Sequence, residues 1–327
     1  MQLGVTLSCI STMSEQYNMM QPDMYNPLKR ILSYDNFDSG LQGWMALVPN
    51  LREDAMEYYP GHEWKTKWGF PMISSGTFGL GGTHGALSGN YAMKLFTRPV
   101  HIPAEEEPRN GSLGVAIKRM TIPMHTTLLR FEMWYAIKVE QSRPGVGEHD
   151  FRGFGFVWDI QDDQYRYFPG IRYINSANGV LQKRWQYSNA EQADAETWGT
   201  KAQSAKTEDG KVVFIKKGID PYWLGRRFPN GETDGFVSIE GGDQELCFNE
   251  SSDKYNWHYL SFTFNLQTRQ YVDLVTNGKQ FDLSGLGVTL VDPYPRINNL
   301  LNPIMWVETD ADRRSFLFVD SIVCSYE

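Results

Sequence analysis

Apolar and polar residues alternate with a period of two along much of this chain, which is typical of half-buried strands. The clearest case is residues 128–139, where every odd-numbered position from Leu129 to Val139 is apolar or aromatic. The even-numbered positions of the same segment include Arg130 and Glu132. The pattern predicts a strand whose odd-numbered face packs in a core.

Further strands are predicted in the last third of the chain. Residues 258–265 alternate in the same way. Segments 271–276 and 279–283, joined by a two-residue hairpin signal at Asn277-Gly278, follow them, and the three strands are predicted to form an antiparallel meander. Another hairpin is predicted from 303–309 and 315–325. Long amphipathic helices are not predicted, because Gly and Pro interrupt most windows of helical length. Many strands with turn signals at short intervals indicate a sandwich or a barrel.

The two ends of the chain carry acidic strand-like segments. Near the start, Y-D-N-F-D-S-G-L-Q-G-W begins at Tyr34, and near the end R-S-F-L-F-V-D-S-I-V-C-S begins at Arg314. We expect the first and last strands to meet, so residues 31–327 are predicted to form a single domain. Residues 1–30 are rich in methionine and polar residues. They are predicted to be an N-terminal extension that packs over this domain or serves as an interaction arm.

A resemblance to a known superfamily rests on several of these segments. The main one runs from Trp257 to Gly285, W-H-Y-L-S-F-T-F-N-L…Y-V-D-L-V-T-N-G-K-Q-F-D-L-S-G, and resembles the back sheet of concanavalin A-like lectin/glucanase domains, including the laminin-G-like branch. The segment from Tyr34 is similar to the opening strand of such domains, and the segment that ends in F-V-D-S-I-V-C-S is similar to their closing strand. S-G-N-Y-A-M-K-L-F from Ser88 resembles an early core strand. The resemblance implies an all-β fold, a single large antiparallel β-sandwich (jelly roll) with long loop insertions. The superfamily includes lectins, glycosidases, lyases and interaction modules, so the fold does not fix the function.

Charge and composition exclude some classes of partner. The formal net charge is −8, and basic residues gather only in doublets such as Lys216-Lys217 and Arg226-Arg227. Binding to nucleic acid or to a membrane surface needs a larger basic patch, so neither is expected. The 3 cysteines are an odd and sparse set for a disulfide scaffold. We therefore predict reduced thiols and a cytoplasmic location, or an extracellular one if the true start lies upstream.

Aromatic residues are the main indication of a ligand. They make up 14% of the chain, and such rings stack on the apolar faces of sugars while Arg, Asn and Asp bind the hydroxyls. The predicted ligand-binding residues are Trp134, Trp158, Arg172, Trp185, Tyr187, Trp198 and Trp223. The first four are assigned to the concave sheet that holds the ligand in the resembled fold, and the others lie on or near polar loops. Core packing or a dimer interface would use the same kinds of residue.

Candidate catalytic residues are carboxylates, because glycosidases place two of them across the bond that they cleave. The candidates are Glu132, Asp159 and Asp162. Asp159 and Asp162 end a predicted strand, and like charges this close raise one pKa, as general acid catalysis requires. A calcium site or an exposed turn would use the same acids. The E-x-D-x-x-E signature of glucanases of this fold has its nearest match at 308–313, which ends in Arg and is interpreted as a solvated acidic turn.

A structural calcium ion is the one cofactor that the sequence suggests. Hard oxygen ligands of the kind that Ca²⁺ prefers are present at Asp35, Asn36, Asp38 and Asp320. Sandwich domains often tie their first and last strands together with such a site. In the alternative, the first two aspartates cap a turn and the last forms hydrogen bonds across the final hairpin. The histidines show no zinc-binding spacing.

Three functions remain open on the sequence alone. The first is a β-sandwich that binds or processes carbohydrate, with unknown specificity. The second is a glycoside hydrolase or polysaccharide lyase that uses paired carboxylates. The third is a non-catalytic interaction protein, which could form a homodimer through its aromatic surfaces.

Overall fold

The fold is described by a computed structural model. It covers residues 24–46, 69–75, 86–97, 112–140, 145–177, 179–188, 205–206, 212–213, 236–248, 256–288, 290, 293, 297–311 and 313–327. Most of these residues lie in strands that form two antiparallel sheets. Residues 1–23 of the predicted extension lie outside this set. The all-β sandwich predicted from the sequence is therefore confirmed for the described part of the chain.

The first sheet is built mainly from the last third of the chain. Its strands, in spatial order, are β17 (Lys279–Asp282), β16 (Gln270–Thr276), β15 (His258–Asn265), β7 (Leu128–Val139), β19 (Ser315–Tyr326), β4 (Tyr91–Phe96) and β3 (Met72–Ser75). One further strand, β1 (Arg30–Asp35), pairs with β19. Since β1 and β19 run antiparallel from Arg30 opposite Tyr326 to Asp35 opposite Ile322, the prediction that the first and last strands meet is confirmed.

The second sheet is built mainly from the middle of the chain. Its strands, in spatial order, are β14 (Phe236–Asp243), β11 (Val180–Ser188), β10 (Gly170–Ala177), β8 (Gly153–Gln161), β18 (Leu300–Thr309), β5 (Ser112–Lys118) and β2 (Trp44–Ala46). The smaller elements are β6 (Met120–Thr121) beside β18, β9 (Arg166–Tyr167) beside β8, a separate pair β12 (Ala205–Lys206) and β13 (Val212–Val213), and a 3-10 helix at Glu148–Asp150. Within the described segments, no helix is long and apolar enough to cross a membrane.

An aromatic core fills the space between the two sheets. Phe131 of β7 stacks on Phe156 of β8 with ring centroids 3.8 Å apart, and Trp158 packs against Phe262 at 5.0 Å. The odd-numbered residues of β7 are all at most 2% exposed. The core face predicted for this strand is therefore confirmed, and such ring pairs add about 0.5–1.5 kcal/mol each beyond the burial of their area.

The predicted meander forms as strands β15, β16 and β17, which pair in sequence order. The turn between β16 and β17 is Asn277-Gly278, with φ angles of 48° and 78°. A two-residue turn of this kind requires left-handed conformations, which Gly adopts without cost and Asn more readily than most residues. The hairpin signal read from the sequence thus has a direct conformational cause.

The strand order corrects the hairpin predicted from 303–309 and 315–325. The two segments do form strands, but β18 lies in the second sheet and β19 in the first. β18 is hydrogen-bonded to β8 on one edge and to β5 on the other. Because no edge of β18 is left for β19, the connection between them crosses from one sheet to the other.

Candidate functional site

The candidate site lies on the outer face of the second sheet, which is directed away from the core. Phe154 and Phe156 of β8 belong to the core, so Gly155 between them lies on the outer face. Trp306 of β18 and Arg172 of β10 stand directly opposite Gly155 on its two neighbouring strands. These three residues form a cross-strand row.

Gly155 gives the Trp306 ring room to lie over the neighbouring strand. A Cβ atom at position 155 would be 2.2 Å from Cζ2 of the indole, which is far shorter than any real carbon–carbon contact between side chains. The indole therefore needs a glycine at this position. Trp306 is fully buried, although it is on the outer face.

Phe236 of β14 adds a second ring to the row. Its centroid is 6.0 Å from that of Trp306, and the guanidinium carbon of Arg172 lies 4.2 Å from the Phe236 centroid, which is a cation–π distance. Arg172 also donates from Nε and Nη2 to Oε1 of Gln186 at 2.9 and 2.7 Å. Gly155, Arg172, Gln186, Phe236 and Trp306 are called the aromatic shelf below.

Two carboxylates follow Trp306 on the same face of the chain. Nε of Arg152 donates to Oε2 of Glu308 at 2.9 Å, and Nη1 donates to Oδ2 of Asp310 at 3.3 Å. The two acids are only 1% and 5% exposed. Their burial corrects the interpretation of residues 308–313 as a solvated turn. One guanidinium that is itself buried holds both charges in place.

Two buried atoms of this site have no hydrogen-bond partner among the residues that the structure describes. They are Nε1 of Trp306, a donor, and Oε1 of Glu308, an acceptor. A buried polar atom without a partner costs about 1–3 kcal/mol, so such atoms are uncommon in folded proteins. A ligand with hydroxyl groups could satisfy both, because a hydroxyl both donates and accepts.

Asp159, a predicted catalytic residue, lies on the same outer face in a separate ion pair. Its two oxygens accept from Nε and Nη2 of Arg166, both at 2.7 Å. Nδ2 of Asn302 donates to the same carboxylate at 3.2 Å. Bidentate pairs of this kind fix the geometry of both partners, and Asp159 therefore has the contacts expected of a structural residue.

Asp162, a second predicted acid, has the contacts of a turn cap. Its Oδ1 accepts the backbone N–H groups of Gln164 and Tyr165, both at 2.8 Å, and Arg269 donates to its Oδ2 at 3.0 Å. Burial raises the pKa of the Asp162 carboxyl, but the N–H groups and the Arg269 guanidinium outweigh it and hold the pKa below its ordinary value. A general acid needs the opposite shift.

Glu132 and Trp134 lie on the outer face of the first sheet, on the opposite side of the molecule from the shelf. Oε1 of Glu132 accepts from the hydroxyl of Tyr259 at 2.5 Å. Burial raises the pKa of the Glu132 carboxyl, although the Tyr259 hydroxyl opposes the shift. The three predicted catalytic acids therefore do not share one site, since Glu132 is on a different sheet from the other two.

Three of the predicted ligand-binding aromatics are core residues, which corrects their assignment to a ligand-facing surface. Trp158, Trp185 and Tyr187 all pack in the cluster between the sheets, with 1%, 0% and 9% exposure. They share the inward face of their strands with residues such as Phe156 and Tyr173. Trp198 and Trp223 lie outside the described residues.

Among the predicted residues that the structure describes, Arg172 alone lies on the aromatic shelf. Trp306, Phe236 and Arg152 were not predicted from the sequence. The segment 300–307 is apolar at nearly every position, so alternation could not show which face Trp306 occupies. The sequence did carry one signal, because Gly155 lies between Phe154 and Phe156 in a predicted strand. A glycine inside a strand often marks a place where a neighbouring group approaches the backbone closely.

The predicted calcium ligands have other partners in the structure. Both oxygens of Asp35 accept from Nζ of Lys118, at 2.5 and 2.7 Å, and Oδ2 also accepts from Nε1 of Trp44 at 3.0 Å. A cation next to this carboxylate does not suit a metal ligand. No group of three or more potential His, Cys, Asp or Glu ligands is found in the described part of the chain, and the calcium site stays a prediction.

Asp38 and Asp320 bind the same turn from two sides. Oδ2 of Asp320 accepts the N–H groups of Leu87 and Ser88 at 2.7 and 2.6 Å, and Oδ1 of Asp38 accepts those of Asn90 and Tyr91 at 2.8 and 3.2 Å. The pKa of Asp320 is raised to about 6, mainly by burial. The N–H groups of Ser88 and Leu87 oppose this shift, and the nearby charge of Asp38 adds to it. These carboxylates connect the turn before β4 to β19 and to the turn that follows β1.

A two-sheet antiparallel β-sandwich with a buried polar outer face is thus the class that the structure defines. The chain belongs to the family described as "Domain of unknown function (DUF6772)", whose model matches residues 14–327. No curated protein matches the sequence.

Several solved structures are similar to the chain at low sequence identity, among them a carbohydrate recognition domain, a lectin and a carbohydrate esterase. The potassium-bound carbohydrate recognition domain of Emp46p has 8% identity and a TM-score of 0.33 over 72% of this chain and 82% of that one. Lectin I-B4 of Griffonia simplicifolia, in its metal-free form, has 8% identity and a TM-score of 0.35 over 83% and 96%. A carbohydrate esterase of the Shiga toxin-encoding bacteriophage phi24B has 13% identity and a TM-score of 0.30 over 78% and 88%.

Proposed function

We propose that the protein binds a carbohydrate at the aromatic shelf on the second sheet. The observation that carries the proposal is the buried, unpartnered indole N–H of Trp306, which lies in a row with Arg172. Aromatic ring faces pack on sugar rings, and guanidinium and amide groups bind sugar hydroxyls. The rings of Trp306 and Phe236 are 0% and 5% exposed, so we expect a sugar to reach them only when neighbouring residues move aside. Because Trp306 is fully buried, we expect binding in an enclosed recess.

A panel of oligosaccharides tested by thermal shift and calorimetry examines this proposal. We expect at least one sugar to raise the melting temperature of the wild-type chain. Trp306→Phe keeps a ring but removes the N–H, and we expect it to weaken binding by roughly tenfold, the effect of one lost hydrogen bond of about 1.4 kcal/mol.

Trp134→Phe is the matched control, because it removes an indole N–H from the other sheet. It should leave sugar binding unchanged. The proposal is wrong if no sugar in a broad panel binds, or if the two Trp→Phe variants lose binding equally.

A second candidate function is glycoside hydrolysis by Glu308 and Asp310. The observation that favours it is that the two carboxylates, at the end of β18 and just beyond it, are held by one guanidinium. The rise of an extended chain puts their Cα atoms about 6.6 Å apart, a spacing compatible with the roughly 5–10 Å between the carboxyl groups of glycosidases. Arg152 binds both acids, so the unpartnered Oε1 of Glu308 is the oxygen left for chemistry.

The catalytic alternative is tested with chromogenic glycosides. Reducing-sugar assays are also run on each sugar that binds. We expect Glu308→Gln to abolish turnover while binding persists. Asp159→Asn is the control, because its carboxylate is engaged by Arg166. Loss of turnover in the Asp159 variant but not in the Glu308 variant would return the catalytic role to the acid predicted from the sequence.

The cytoplasmic location and the homo-oligomer stay predictions.

A further inference from the structure

A short segment of the chain, residues 24–28, lies across the outer face of the first sheet. It immediately precedes β1 and follows the course of β7 in the opposite direction. Nε1 of Trp134 donates to the Met24 carbonyl at 3.2 Å. Oε1 of Glu132 accepts the backbone N–H of Asn26 at 2.6 Å. Side chains of β7 thus contact the backbone of the segment at intervals of two residues.

The contacts continue at the other end of the segment. Nη1 of Arg130 donates to the Asn26 carbonyl at 2.6 Å, and the backbone N–H of Leu28 donates to Oγ of Ser325 at 2.9 Å. Ser325 is the β19 residue directly opposite Arg130. Trp134 and Glu132 of β7 thus bind positions 24 and 26, as expected for two extended chains of equal rise per residue. Position 28 is bound from the neighbouring strand β19, beside Arg130.

One side chain of the segment is an apolar anchor. Tyr25 is 9% exposed and packs in a small cluster with Ile31 and Val323, and its ring lies edge-on to Tyr34 with centroids 6.4 Å apart. By contrast, the Asn26 side chain is exposed. The sheet therefore binds the backbone of the segment and one aromatic side chain, and it does not depend on the side chain at position 26.

The groups that bind the segment are also held by one another. The Tyr259 hydroxyl donates to Glu132, and the Trp134 and Tyr259 rings pack at 5.5 Å. Nε of Arg130 donates to Oγ1 of Thr263 at 2.9 Å. Because these contacts lie within the sheet, the binding surface keeps its shape when the segment leaves, which lowers the cost of binding another chain.

We propose that this face is a binding surface for an extended peptide of a partner protein, and that residues 24–28 occupy it in the free protein. The surface takes a segment with an aromatic anchor followed by a residue with a free backbone N–H. Recognition of an extended backbone in this way is a common mode of peptide binding. The attached segment competes at an effective concentration on the order of millimolar, so a partner binds only when it displaces the segment.

The full-length chain with Asn26→Pro tests the proposal, because proline has no N–H to donate to Glu132. Asn26→Ala is the matched control, since it keeps the N–H and changes only an exposed side chain. A fluorescein-labelled synthetic peptide of residues 20–30 is the probe, and anisotropy measures binding. We expect the peptide to bind Asn26→Pro at least tenfold more tightly than either the wild-type chain or Asn26→Ala.

Two altered peptides test how the surface recognises its ligand. A peptide N-methylated at Asn26 loses the donor to Glu132, and one with Tyr25→Ala loses the anchor. Each should bind Asn26→Pro at least tenfold more weakly than the unaltered peptide, whereas a peptide with Asn26→Ala should bind equally well. Equal binding of all four peptides to Asn26→Pro would overturn the proposal. It would also be overturned if the unaltered peptide bound the wild-type chain and Asn26→Pro equally well, or bound neither.

Hydrogen exchange in the wild-type chain gives an independent readout if the proline variant folds poorly. Excess peptide should accelerate exchange of the chain's own Leu28 amide, which the Ser325 hydroxyl protects. No acceleration at saturating peptide would count against displacement. A wild-type dimer that dissociates in Asn26→Pro would identify a second copy's segment as the ligand of the surface.

Discussion

The two outer faces of this sandwich satisfy their buried charges in opposite ways. On the second sheet, Glu308 and Asp310 are neutralised by a cation, Arg152. On the first sheet, Glu132 and Asp320 accept hydrogen bonds mainly from backbone N–H groups and hydroxyls. A cation-paired carboxylate stabilises only while its partner is present. The pKa values of Glu132 and Asp320 stay raised because burial outweighs the hydrogen bonds that they accept. The two faces should therefore respond differently to mutation and to pH.

The largest effect is expected from Arg152→Ala on the second sheet. The change leaves two buried carboxylates without their cation, which costs about 3–5 kcal/mol in comparable pairs. Urea denaturation of the folded chain measures the change in the free energy of unfolding. Arg184→Ala is the control, because Arg184 and Asp243 form an exposed pair, and its loss should cost at most about 1 kcal/mol.

The next effect is a pH dependence specific to the first sheet. The pKa of Asp320 is raised from 3.8 to about 6, so the folded state holds this proton more tightly than the unfolded state does. Its contribution to stability is present below about pH 4 and is lost as the pH rises through about 6. The full difference is about 3 kcal/mol, at 1.36 kcal/mol per pKa unit.

Asp320→Asn tests this pH dependence, because asparagine carries no titratable proton. The free energy of unfolding of the wild-type chain should fall between pH 4 and pH 6 more steeply than that of the variant. Glu132 shifts in the same direction, so some slope should remain. Parallel curves for the two chains would show that Asp320 titrates normally.

A smaller loss is expected from Gly155→Ala in the aromatic shelf. The added methyl group would overlap the Trp306 ring, and overpacking of this kind costs about 1–3 kcal/mol. Gly287→Ala is the matched control, since nothing lies within 4 Å of a Cβ there. In the double variant with Trp306→Leu, the cost of Gly155→Ala should decrease, and a double-mutant cycle measures that coupling. Additive costs would contradict the contact.

The smallest effect is expected from Tyr259→Phe on the first sheet. It removes the hydroxyl that donates to Glu132, and a single intramolecular hydrogen bond contributes about 0.5–1.5 kcal/mol net. Thermal unfolding measures the change. Tyr165→Phe, at a ring that is 38% exposed, should cost less than about 0.5 kcal/mol. Equal costs for the two variants would mean that the Glu132 contact contributes nothing.

Sequence patterns predicted the fold best where one face of a strand is polar. β7 carries Arg130 and Glu132 on its outer face, so its core face could be assigned from alternation alone. Asn277-Gly278 fixed the turn of the meander because few residues adopt its φ angles. The pairing of β18 could not be predicted, because its partners β5 and β8 are far away in sequence and local turn signals favoured a hairpin with β19.

The site was harder to predict than the fold because both faces of its strands are buried and its contacts join residues far apart in sequence. Trp158 and Trp306 stand on opposite faces of neighbouring strands, yet both are fully buried, and both strands read as continuous apolar runs. Aromatic content therefore could not distinguish the core-facing Trp158 from Trp306 on the outer face. The ion pairs of Arg152 could not be predicted, because its partners, Glu308 and Asp310, are more than 150 residues away along the chain.

The position of β19 has a consequence for how the protein is made. This strand fills the gap in the first sheet, with β7 on one edge and both β4 and β1 on the other. Because β19 is synthesised after β1, β4 and β7, those strands have edges with unpaired backbone groups until it leaves the exit tunnel, and such edges can pair with other chains. The sheet is completed by contacts of high sequence separation, which form slowly. Chaperone demand during synthesis should therefore persist until this strand emerges.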